Sequence, residues 1–182
     1  AQETAWFSYV AKRSQFELDS IWDELQSEIQ FFADQLNVTH RWYNAHGPGT
    51  ERSSFEPVSV YDETWNNGTP TDSGMVYSMD MCQAWNAYIN AHQTEWNKTV
   101  QALWDSEKSE NPWDEINAQE NIERMCNEAL REVSNAIDAI WEAEKDYLTS
   151  KEYFEDEIAD SAWYTSDGMF SYSKEAYDVV SC

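Results

Sequence analysis

NPWDEINAQENIERMCNEALREVSNAIDAI, residues Asn111–Ile140, opens with a full helix-start signal and runs on into a regular repeat. Asn111 offers a side-chain oxygen to the free N–H groups of a first turn, and Pro112 suits the first helical position. Asp114 and Glu115 follow where the helix dipole favours negative charge. From Cys126 the seam steps by four and three through Leu130, Val133, Ile137, Ile140, Glu144, Tyr147, Lys151, Phe154 and Ile158. This predicts a long helix over 112–165. Its packing should loosen where Glu144 and Lys151 fall on the seam.

Upstream, Phe7, Val10, Leu18, Ile21, Leu25, Ile29, Phe32 and Leu36 recur in steps of three, four and four, with Ser14 filling one gap. That period fits a nearly straight helix, predicted over 3–45. A second stripe, Met75, Met79, Cys82, Trp85, Ile89, His92, Trp96, Val100 and Leu103, predicts a helix over 73–109 with Asp72 or Ser73 as its cap. Between them, residues 46–72 hold three of the five Gly and three of the four Pro, with no helical period. The segment reads as one long irregular loop, with a brief alternation at Val58, Val60 and Asp62 that suits a short strand. It either packs across the bundle or forms an arm that docks on a partner. Ser166-Asp167-Gly168 signals a turn, leaving 166–182 as a short helix or an extended strap. The expected fold is therefore all-α: an elongated bundle of three long helices in a single helical domain over 1–182, with one long irregular loop and a C-terminal strap.

Composition narrows the partners. The chain carries 35 acids against 11 bases, a net charge of −24, together with ten Trp, ten Tyr and seven Phe. So many aromatics argue for a folded chain. The charge argues against nucleic acid and anionic membrane, which need basic patches. No apolar run approaches the ~20 residues of a membrane span. Cations, basic proteins and carbohydrate remain compatible. Ala1 opens the chain without Met or a signal-like segment, which predicts a mature product whose targeting peptide has been removed. Asn37-Val38-Thr39, Asn67-Gly68-Thr69 and Asn97-Lys98-Thr99 are N-glycosylation acceptors, meaningful only in a secretory compartment. Asn67 lies in the loop and is the best placed; Asn97 falls within a helical pattern.

Three cysteines, Cys82, Cys126 and Cys182, imply one disulfide plus either a free thiol or an intermolecular bridge in a secreted chain. If the second and third helices form a hairpin turning near residue 110, Cys82 and Cys126 are out of register by ~18 Å, beyond the ~7 Å a disulfide allows. An extended tail from residue 168 reaches ~46–50 Å, enough for a point ~40 Å away opposite Cys82 but not for Cys126 at ~58 Å. The expectation is a Cys82–Cys182 disulfide with Cys126 as a buried thiol.

Chemistry is sparse. His40, His46 and His92 lack ligand spacing, and no zinc, nucleophile-elbow, phosphate-loop or dinucleotide motif is present. His92 reads as a core or interface histidine. The carboxylates on the third helix, Glu152, Asp156 and Asp160 among them, read first as a solvated face and second as a weak Ca²⁺ site. No other cofactor is expected. Trp22, Trp85, Trp96, Trp104 and Trp141 fall on or beside apolar stripes and read as core. Trp42, Trp113 and Trp163 near helix ends, with Tyr61 and Trp65 in the loop, read as interface aromatics. Met75, Met79 and Trp85 could line an apolar pocket, though such a stripe is more often packing. The expected function is a secreted acidic glycoprotein, extracellular or granule-resident, non-enzymatic and self-assembling. The alternative is a helical binding module or carrier for an apolar or aromatic small molecule, or for a receptor or carbohydrate partner.

Overall fold

The computed structural model describes residue 10 and residues 14–44, 51–60, 69–158, 163–165, 170–171 and 179–181; for 14–16 and from 158 onward it describes backbone alone. The helices are α1 Ser14–Leu36, α2 Ser78–Ala91, α3 Gln93–Ser106, α4 Pro112–Leu148 and α5 Lys151–Tyr153, the last running into a π-helical turn, Phe154–Ile158. The strands are β1 His40–Asn44, β2 Glu51–Phe55, β3 Trp163–Thr165, β4 Phe170–Ser171 and β5 Val179–Ser181. Three long helices in an all-α bundle are thus not what forms. The described residues make five α-helices and two small antiparallel sheets.

The chain divides into two compact units. The larger, Leu25–Ile140, is built around Leu25, Ile29, Phe32 and Leu36 of α1, Met81, Cys82 and Trp85 of α2, and Ile122, Met125, Ala129, Val133 and Ile137 of α4, all buried. Each full burial of such an aliphatic or aromatic side chain stabilises by roughly 1.5–3 kcal/mol. Phe32 meets both Trp85 and Phe55, with ring centroids 6.4 and 6.1 Å away. The other unit joins Ala1–Glu24 with Trp141–Cys182. There Trp22 stands edge-on to Trp141 at 4.9 Å, Leu148 and Phe154 are buried, and β3 is the middle strand of the order β4-β3-β5.

The differences from the expected helices have local causes. The first helix stops at Leu36, not at residue 45. Asn37 takes φ 52, the Asn37 N–H donates to Asp34 O at 3.2 Å, and the Val38 N–H donates to Ala33 O at 3.1 Å. These bonds satisfy the last free carbonyls in the paired pattern of a left-handed helix stop, which Asn tolerates better than most residues. The apolar stripe also ends at Leu36, so nothing rewards further helix. β1 follows at once and pairs with β2 in the register Trp42↔Ser53, which places a strand inside the expected loop. Val58 and Ser59 are not strand.

The expected 73–109 helix begins later, at Ser78, and is interrupted. Asp72 and Ser73 accept from Gly74 and Met75 in a turn with Gly74 at φ 78, and the buried Glu28 carboxylate accepts the Tyr77 N–H at 2.6 Å. At His92 the ring Nδ1–H donates to Tyr88 O at 2.9 Å, competing for that carbonyl with the His92 N–H, which lies 3.1 Å from it and 3.2 Å from Ile89 O. The backbone there departs to φ −115, ψ 26, and α3 starts afresh.

α4 begins at Pro112 with Asn111 Oδ1 accepting the Trp113 N–H at 3.2 Å. It ends at Leu148 and does not reach residue 165. Thr149 Oγ1 donates to Lys145 O at 2.7 Å and Ser150 Oγ to Tyr147 O at 2.6 Å; Ser150 is extended and caps α5 through Tyr153 N–H. Two adjacent hydroxyls bonding back to the preceding turn weaken the helix where Ser150 leaves it for extended backbone. The seam is buried from Cys126 to Ile137, and burial then shifts to Trp141 and Leu148. In the tail, described strands stand where a short helix or strap is expected.

Candidate functional site

Among the described residues, a concavity of small-molecule size lies in the larger unit, between the β1–β2 hairpin and one face of α4. Alternation along β1 leaves Arg41 and Tyr43 exposed and His40 and Trp42 half-buried. On that inner face His40 contacts both Trp42 and Phe55, with ring centroids 5.2 and 5.0 Å away. α4 then holds the following backbone. Asp138 Oδ1 accepts the Ser53 N–H at 2.7 Å, Asn127 Oδ1 the Val58 N–H at 2.7 Å, and Glu123 Oε1 the Val60 N–H at 3.0 Å. Carboxylates and amides thus replace the ladder partners that β2 and its continuation would otherwise lack.

The result is a groove of about 570 Å³. One wall is Tyr43, Phe55 and Pro57; the other is a polar stripe on α4, with Asn127, Arg131, Ser134, Asn135 and Asp138 on a single helix face. At one end Arg124 pairs with Glu95 and, at 3.3 Å, with Glu128, which also accepts the Tyr88 hydroxyl. Burial, reinforced by that bond to Glu128, pushes the Tyr88 hydroxyl up to about 12. The same bond, with Arg124 beside it, holds Glu128 below the usual carboxylate range. At the other end Arg52 lies 3.9 Å from Asp138. Arg131 makes no ion pair within 4.0 Å among the described residues, although its charge also helps to hold Glu128 down.

His40 Nε2 lies 2.6 Å from Ser53 Oγ, and Ser53 lines the groove. A hydroxyl paired with an imidazole is the geometry of an activated nucleophile. Burial lowers His40 to about 4, however, which makes the ring a weak base. The pair therefore reads as an internal hydrogen bond of the hairpin.

No family model, curated protein or solved structure matches the chain. The site stands on its geometry alone.

Of the residues singled out in the sequence, Trp42 is half-buried on the inner hairpin face and Trp113 is 65% exposed at the start of α4. Trp104, expected in the core, is 60% exposed. Tyr61 and Trp65 lie outside the described residues, and Trp163 is described only as backbone in β3. Asn37 and Asn97 are exposed, while Asn67 lies outside the described residues. Glu152 and Asp156 are exposed and Asp160 lies outside; among the described residues no group of three His, Cys, Asp or Glu is placed to hold a metal. Cys82 and Cys126 are both buried free thiols, and Cys182, the expected partner of Cys82, lies outside the described residues. Met75 and Met79 are exposed and Trp85 buried, so the three do not line one enclosed pocket. His92 is half-buried and stacks on Tyr88 with centroids 4.2 Å apart.

Asn127, Arg131, Asn135 and Asp138 escaped the sequence reading. Their signal was a polar stripe at steps of four, four and three beside the apolar seam of α4. A stripe of that kind is indistinguishable from a solvated face until a second element lies across it.

Proposed function

We propose that this chain is a non-enzymatic, self-assembling glycoprotein of the secretory route. The observation that carries the reading is the exposure of two Trp around one rigid turn, Trp104 at the end of α3 and Trp113 at the start of α4. The turn is stiff: Ser109 Oγ donates to Asp114 Oδ2 at 2.6 Å, and Asn111 caps Trp113. Trp buries about 200 Å² when covered, so at ~25 cal/mol per Å² the exposed part of one such ring is worth about 3 kcal/mol to a contact. A preordered turn loses little freedom on docking. The exposed acceptors Asn37 and Asn97 support the secretory setting. The partner is a second copy, with salt or divalent cations screening the charge of −24 that opposes association.

Light scattering on the intact chain across a salt and Ca²⁺ series tests this. Association that grows with ionic strength and is lost in Trp104→Ala/Trp113→Ala supports it. A monomer under every condition overturns it. A second reading, a binding module, is favoured by the groove between the hairpin and α4.

A further inference from the structure

We infer that the groove between the β1–β2 hairpin and α4 binds a saccharide unit carrying a single carboxylate. This rests on the groove and is independent of the assembly reading. At about 570 Å³ the groove has the size of a small-molecule site and is too small for a folded partner.

Its two walls differ in chemistry. Tyr43 is 54% exposed and offers a flat apolar face. Opposite, the amide of Asn127, the hydroxyl of Ser134 and the amide of Asn135 present donors and acceptors along one face of α4. Asn127 spends its oxygen on the Val58 N–H, which leaves its two N–H groups for a ligand. A pyranose has the matching character, with C–H groups on one face and hydroxyls around the rim.

Arg131 sets the charge. The two carboxylates of the groove are already engaged, Glu128 by Arg124 and Tyr88, and Asp138 by Ser53 N–H and Arg52. Arg131, which acts on Glu128 only at longer range, makes no direct ion pair among the described residues, and its planar guanidinium matches a carboxylate in two parallel bonds. The surrounding net charge of −24 repels polyanions far more than a ligand of charge −1. That favours one acidic sugar over an acidic peptide.

Isothermal titration of the intact chain with glucuronate, N-acetylneuraminate, glucose, acetate and a hexa-glutamate peptide, each to ~10 mM, tests the assignment. Either sugar acid binding more tightly than glucose and acetate supports it, and the two sugar acids rank the source. Arg131→Gln should weaken the sugar acid by about tenfold and leave glucose unchanged, while Tyr43→Ala weakens both. Both positions are exposed, and circular dichroism is the check that the variants fold. Absence of saccharide binding, acetate binding as well as the sugar acid, tighter binding of the peptide, or indifference to Arg131→Gln overturns it.

Discussion

The backbone N–H of Ser53 donates to Asp138 Oδ1 at 2.7 Å across 85 positions of sequence. This bond ties an edge of the hairpin to α4. Asp138→Ala leaves a buried N–H without its acceptor and should cost about 1–3 kcal/mol. Asp138→Asn keeps an acceptor oxygen and should cost less. Urea midpoints of the two variants, read by far-ultraviolet circular dichroism, give the comparison, and equal midpoints would show the bond to be idle.

Acid should loosen the hairpin early. His40 is held neutral by burial, with its titration lowered to about 4 from 6.5. The unfolded chain therefore binds the proton more readily between those values. The stabilisation is complete above pH 6.5 and is lost as pH falls from 6.5 towards 4, by about 2–3 kcal/mol at most. His40→Gln should flatten this part of the stability curve. An unchanged slope between pH 6.5 and 4 in that variant would assign the effect elsewhere.

The two thiols of the larger unit should be silent in the native protein. Burial pushes Cys126 up to about 12 and also raises Cys82. Thiolate is the reactive form, so both should resist iodoacetamide at pH 8 and react once guanidinium unfolds the chain. Peptide mapping after native labelling reads each site separately. Prompt native modification of Cys126 would contradict the packing around it.

Asn37 has a conformational duty apart from any glycan. At φ 52 a residue with a β-carbon is strained, and Asn less so than most. Asn37→Gly should therefore retain or slightly raise the melting temperature, whereas Asn37→Ala should lose about 1 kcal/mol. Both remove the acceptor. A mass loss in Asn37→Gly protein expressed through a secretory pathway would report glycosylation at an unperturbed fold.

How much was legible follows from which residues carry each signal. The start of α4 could be read because Asn111 and Pro112 act within one turn of themselves. The stop at Asn37 was also written locally, but the residue drew attention as a glycan acceptor. β2 could not be read: Glu51-Arg52-Ser53-Ser54-Phe55 has no apolar alternation, and its buried position is a serine whose partners, His40 and Asp138, come from other elements. The interruption at His92 and the stop at Thr149-Ser150 use neither Gly nor Pro, only side chains that bond back to the preceding turn. The groove was hidden for a related reason. Its polar stripe acquires meaning only from the hairpin laid across it.

The anchoring of residues 53–60 by Glu123, Asn127 and Asp138 also orders events in time. The partners lie 63 to 85 positions downstream, so during synthesis the hairpin emerges long before anything exists to receive its backbone. Contacts so distant along the chain form late and slowly. Until residue 138 has left the ribosome, the nascent chain carries a polar, unpaired edge that must be kept from other chains, and the groove is among the last features of the larger unit to exist.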